Sequence, residues 1–91
     1  MEIKLTALRS KIDSLDATLL KTLASRQKVS RSIGELKRKN GMKMVDYTRF
    51  RELLEERMST AEELELSPTL IKKIFTLIHS ASVDEQRKLK K

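Results

Sequence analysis

The chain has no cysteine and no tryptophan, one proline, two glycines and one histidine among its 91 residues. Without cysteine there is no disulfide frame, no thiolate nucleophile and no thiolate metal site, and His79 alone cannot build a zinc centre. No apolar run approaches the roughly 18 residues of a membrane span, and Met1-Glu2-Ile3-Lys4 lacks the apolar stretch of a secretory signal. These absences set the expectation of a soluble, cytoplasmic protein with no membrane partner. The three aromatic residues, Tyr47, Phe50 and Phe75, are too few for the stacking platforms that hold single-stranded nucleic acid. A chain this short makes one domain, residues 1–91, with a small core.

What the chain does have is positive charge in one half. Residues 1–43 hold eleven Lys and Arg against four Asp and Glu, while residues 44–91 hold nine of each. A basic half can serve nucleic acid, an anionic small molecule, or only a solvated surface.

A heptad read from Leu5 places Leu5, Leu8, Ile12, Leu15, Leu19, Thr22, Arg26, Val29, Ile33 and Leu36 on one seam, and eight of these ten are apolar. The pattern predicts a helix from about residue 4 to about residue 39, closed by Lys37-Arg38-Lys39 and then Asn40-Gly41. Gly34 weakens it by about 1 kcal/mol relative to alanine and marks a place for close approach of another element. The rod would be roughly 54 Å long, too long for the remaining residues to cover. An apolar seam that long needs a partner helix, so the expectation is a homodimer.

Residues 40–45 read as a short connection in which Met42, Met44 and Val45 return to the core. A second helix is expected from about Asp46 to Glu62, with Leu53, Leu54, Arg57 and Met58 facing inward. Ser67-Pro68 reads as an N-cap followed by proline at the first helical position. The third helix carries Ile71, Ile74, Phe75, Ile78 and Ala81 at three- and four-residue spacing and should reach about residue 86. A basic tail, residues 87–91, follows and is expected to fray. The fold class is all-α, three helices with a core over about residues 5–86.

Polar residues in apolar places carry the functional signal. Arg26 occupies a seam position, and a buried guanidinium is costly unless an anion or acceptors meet it. Lys37, eleven residues on, returns to the same face about 16 Å along the axis. Ser82 and Gln86 extend the Phe75/Ile78 stripe, or mark a helix end leaving the core. Asp46 and Arg49 open the second helix, as a substrate contact or as an N-cap with a surface ion pair. Lys37 alone could serve only a helix C-terminus, and Arg9 could be a flanking surface cation. Arg9 lies about 25 Å from Arg26 along one helix, so a small ligand could meet both only across two chains. No nucleophile is paired with a base, and there is no glycine-rich phosphate loop. Chemistry here would come from cations and donors fixed around an anion.

The pieces Leu8-Arg9, Ile12-Asp13, Leu15-Asp16, Leu23-Ala24-Ser25-Arg26, Ile33-Gly34-Glu35-Leu36-Lys37, Asp46-Tyr47-Thr48-Arg49 and Ile78 to Gln86 occur in order over about residues 5–86. In this the chain resembles the all-helical chorismate mutases, three-helix chains that form intertwined dimers with two shared active sites. The resemblance implies a Claisen rearrangement of chorismate to prephenate without a cofactor. It assigns the substrate carboxylates to Arg26 and the partner's Arg9. Lys37 would contact a carboxylate and the ether oxygen, and Gln86 would donate to that oxygen. Asp46, Arg49 and Ser82 would shape the pocket. The family usually carries a glutamate after the arginine of helix two, where it binds the substrate hydroxyl, and here that position is Phe50. The isochorismate pyruvate lyases share this fold, with an apolar residue there, and remain an alternative. So does a non-catalytic dimerisation or regulatory module.

Overall fold

The computed structural model describes residues 1–43 and 45–88. It consists of α1 (Glu2–Lys39), α2 (Tyr47–Glu63) and α3 (Pro68–Lys88), with no strand among the described residues. The all-α expectation holds, and each expected helix boundary lies within two residues of the observed one. Met44 and residues 89–91, part of the expected basic tail, lie outside the described residues.

Local chemistry sets these ends. Asp46 has extended backbone, and its carboxylate accepts a hydrogen bond from the Arg49 amide at 3.0 Å. Ser67 Oγ accepts from the Leu70 amide at 3.2 Å, just ahead of Pro68. Both are N-caps that satisfy an amide the first helical turn leaves open.

Two helices end in the same C-terminal motif. After α1, Met42 N–H donates to the Lys37 carbonyl at 2.8 Å and Gly41 N–H to that of Arg38 at 3.3 Å, with Gly41 at φ +62°. After α2, Leu66 N–H donates to the Ala61 carbonyl at 2.8 Å and Glu65 N–H to that of Glu62 at 3.1 Å, with Glu65 at φ +60°. These paired bonds are the Schellman arrangement, which needs one left-handed residue. Glycine fills that position once, and glutamate fills it the second time at a steric cost.

The helix α3 lies against both α1 and α2, while among the described residues no Cα of α1 comes within 8 Å of one in α2. Thus α1 and α2 stand apart like two walls over an α3 floor. The helices α1 and α3 come close at Gly34, where an added Cβ would lie 2.8 Å from the Gln86 Cα and 2.9 Å from its carbonyl oxygen. Arg31 Nη1 bonds Glu85 Oε2 at 3.0 Å one turn away. On α2 the expected inward set, Leu53, Leu54, Arg57 and Met58, is half-buried, and Glu52, Glu55 and Glu56 are exposed. Arg57 lies over the Phe75 ring, 5.9 Å from its centroid.

The chain by itself buries little. Ala61 and Val83 are the only buried apolar residues among those described, and every residue from 1 to 22 is exposed. Leu8, Ile12, Leu15 and Leu19 remain more than half accessible. The radius of gyration is 16.8 Å, against about 12 Å for a compact domain of this length. Accessible surface is 7629 Å², about 2,200 Å² above the ~5,400 Å² typical of a compact monomer of 10.5 kDa. Two expectations need correction. Met42 does not return to the core: it is 60% exposed, because its backbone is spent on the α1 cap and points the side chain outward. Ile74, expected in the inner stripe of α3, is 39% exposed, while Ile71, Phe75, Ile78 and Ala81 of the same stripe are half-buried. No helix among the described residues is long and apolar enough to cross a membrane.

Candidate active site

A cleft of about 310 Å³ opens between the two walls, on the floor made by α3. Each helix contributes residues at the spacing that returns to one face. From α1 come Arg26, Ser30, Ile33 and Lys37, from the start of α2 Asp46, Arg49, Phe50 and Leu53, and from α3 His79, Ser82, Val83 and Gln86. Seven of the eight residues singled out in the sequence therefore meet in one place. Arg9 does not, since it sits on the exposed arm of α1.

The hydrogen bonds orient the polar groups. Arg26 Nη1 donates to Ser82 Oγ, which leaves the serine proton free to point into the cleft. Lys37 Nζ donates to Gln86 Oε1 at 3.2 Å. An ammonium has donors only, so it fixes the glutamine carbonyl toward itself and turns the amide N–H groups away. Ser82 and Gln86 are buried, at 6% and 8% exposure, so these are core positions and not a helix end leaving the core. Asp46 caps α2 through the Arg49 amide, and among the described residues no Asp46–Arg49 ion pair accompanies it.

Electrostatically the cleft is cationic. Arg26, Lys37 and Arg49 face it, and the single carboxylate on its wall, Asp46, is engaged as a cap. Among the described residues neither Arg26 nor Arg49 has a carboxylate partner. Burial lowers the Arg26 pKa, and the nearby Arg57 cation lowers it further. The guanidinium stays charged at neutral pH, but incompletely solvated and incompletely paired, which favours an incoming anion. His79 is held below its ordinary range by burial, then by Arg26 and Lys37, so its imidazole is neutral at pH 7. Its ring stacks on Phe50 with centroids 3.9 Å apart and planes 20° apart.

Two polar lining residues, Ser30 and His79, were not singled out as site residues by sequence reasoning. Ser30 is buried at 4% exposure, one turn after Arg26 and seven residues before Lys37. His79 precedes Ser82 by three residues and Gln86 by seven. In both cases the helical interval from a recognised residue was the available signal.

Such an arrangement can bind a small, multiply charged anion and meet its neutral polar atoms with a hydroxyl and an amide. The sequence matches the family described as chorismate mutase type II over residues 8–87. It is 38% identical over 75 residues to a "T-protein" of Enterobacter agglomerans, covering 82% of this chain and 20% of that protein. It is 34% identical over 85 residues to a "Bifunctional chorismate mutase/prephenate dehydratase" of Buchnera aphidicola subsp. Schizaphis graminum, covering 93% of this chain and 22% of that protein. The chain thus spans about a fifth of the length of these curated relatives. With a match running from the seam of α1 to the last turn of the α3 floor, the chain belongs to the type II chorismate mutase family.

Proposed function

We propose that the cleft binds chorismate and catalyses its rearrangement to prephenate, a step of aromatic amino acid biosynthesis in the cytoplasm. The observation that carries this reading is the convergence of three cations with an oriented serine and glutamine on one cleft of suitable size. The reaction is intramolecular. The ether C–O bond breaks while a C–C bond forms through a chair-like arrangement, and negative charge grows on the ether oxygen. No proton transfer or covalent intermediate is called for, so catalysis reduces to holding the reactive conformer and stabilising that charge.

In this reading Arg26 clamps one carboxylate. Lys37 serves a carboxylate and the ether oxygen, and Gln86, its carbonyl held by Lys37, directs an N–H to the same oxygen. Ser82, locked on Arg26, and Arg49 complete the polar lining. The second carboxylate falls to the partner's Arg9 in a homodimer with shared sites. The exposed seam of α1 and the roughly 2,200 Å² of excess surface, within the range of obligate dimer interfaces, support that assembly.

The test adds purified protein to chorismate, follows loss of the diene absorbance and identifies the product. Prephenate formation supports the proposal. An inert protein, or one that instead releases pyruvate from isochorismate, overturns it. The apolar face of Phe50 in the cleft is the observation that makes the lyase substrate worth including.

A further inference from the structure

The cations and the amide of the cleft account for two carboxylates and an ether oxygen, but His79 is used by none of these contacts. It lines the same cleft, and among the described residues neither ring nitrogen has a hydrogen-bond partner. Its ring is not loose: it is half-buried and stacked face to face on Phe50, which fixes the plane in which its nitrogens point. The groups facing it are Arg26 and Lys37 from α1, and Asp46 and Arg49 at the start of α2. Neutral Ser82 and Gln86 share its own helix.

Burial first, and then Arg26 and Lys37, favour the neutral imidazole, and a neutral imidazole carries one donor and one acceptor. A carboxylate offers acceptors only and is better served by Arg26, Lys37 or Arg49. A hydroxyl both donates and accepts, so it can pair with whichever ring nitrogen faces the ligand, in either tautomer.

Resting on the proposed function and deepening it, we infer that His79 is a specificity-determining residue that hydrogen-bonds the ring hydroxyl of the substrate, with Phe50 as the positioning residue that sets its ring plane. Position 50 then has a physical role despite lacking a polar group. Hydroxyl recognition is carried from the floor helix α3, and the α2 wall supplies the aromatic face against which the recognising ring is held.

The experiment compares chorismate with its analogue lacking the ring hydroxyl, using the full chain and its His79→Leu, His79→Gln and Phe50→Leu variants. Both kcat/KM and equilibrium dissociation constants are measured. His79→Leu should lose about tenfold in kcat/KM on chorismate and change little on the analogue, so discrimination collapses. The amide in His79→Gln should restore part of the preference, and Phe50→Leu should weaken it with the imidazole still present. Equal losses on both compounds, or an unchanged preference in His79→Leu, overturn the inference. If the unaltered protein converts neither compound, the proposed function fails, and binding decides the hydroxyl contact by itself. A preference for the hydroxylated compound that disappears in His79→Leu sustains the contact, and an absent or unaltered preference refutes it.

Discussion

Gly34→Ala separates stability from catalysis in this architecture. The new Cβ would lie 2.8 Å from the Gln86 Cα and 3.0 Å from its Cβ, whereas ordinary contact begins at 3.4 Å. The atoms it meets are largely backbone, so no rotamer change relieves the clash, and α3 must retreat from α1 by about 0.6 Å. Overpacking of this kind costs about 1–3 kcal/mol, while alanine returns about 1 kcal/mol of helix propensity at a mid-helix glycine. The net loss of stability is therefore small, roughly 0–2 kcal/mol. Geometry suffers more. The Lys37–Gln86 bond is already 3.2 Å long, and the retreat acts at its own anchor residue, opening it past hydrogen-bonding range. Displacements approaching 1 Å cost on the order of 100-fold in rate. Circular dichroism melting and chorismate kinetics on the same preparation would show a helical, folded variant with kcat reduced about 10- to 100-fold. A folded variant with undiminished kcat would refute the claim that this close approach sets the catalytic geometry.

Under the proposed roles, the Lys37→Ala and Gln86→Ala variants should each lower kcat more than they raise KM, because a contact to the ether oxygen would strengthen as charge grows there; an effect confined to KM counts against that role. Arg9→Ala and Arg26→Ala chains, each nearly inactive alone, should regain about a quarter of native activity when equal amounts are exchanged, since half the dimers are mixed and each holds one intact site; no recovery after verified exchange excludes a shared site. Replacing Glu65 with glycine relieves a left-handed residue remote from the cleft, so the melting midpoint should rise, by about 1 kcal/mol of stability, with kcat unchanged. His79 has a folded-state pKa below its unfolded value, so it contributes stability fully above about pH 6.5, lost as pH falls through the folded value. In denaturant titrations across pH, His79→Gln should flatten the part of the slope just below about pH 6.5, and an identical slope would show the imidazole is not held neutral.

Much of the molecule was legible because it depends on local rules. The eight apolar residues of the seam declare α1, and Asp46 and Ser67-Pro68 declare two helix starts. Asn40-Gly41 declares the end of α1, since glycine is what a left-handed cap asks for. The equivalent cap after α2 was less legible, because Glu65 fills the left-handed position without the residue type that signals it. Arg26 and Lys37 could be paired by interval alone, since both lie on one helix and the helical repeat is constant. Ser82 and Gln86 could not be distinguished from a helix end leaving the core until α1 was seen lying across them at Gly34.

By itself, then, the sequence determined three helices, their ends, and the polar residues that break their apolar faces, because each follows from intervals within one helix. Only the tertiary structure decided that α1 and α2 stand apart over α3, leaving a cationic cleft between them. It also decided that Lys37 turns the Gln86 amide and that Phe50 holds His79. Those facts depend on distances between helices, which the period of a single helix does not encode.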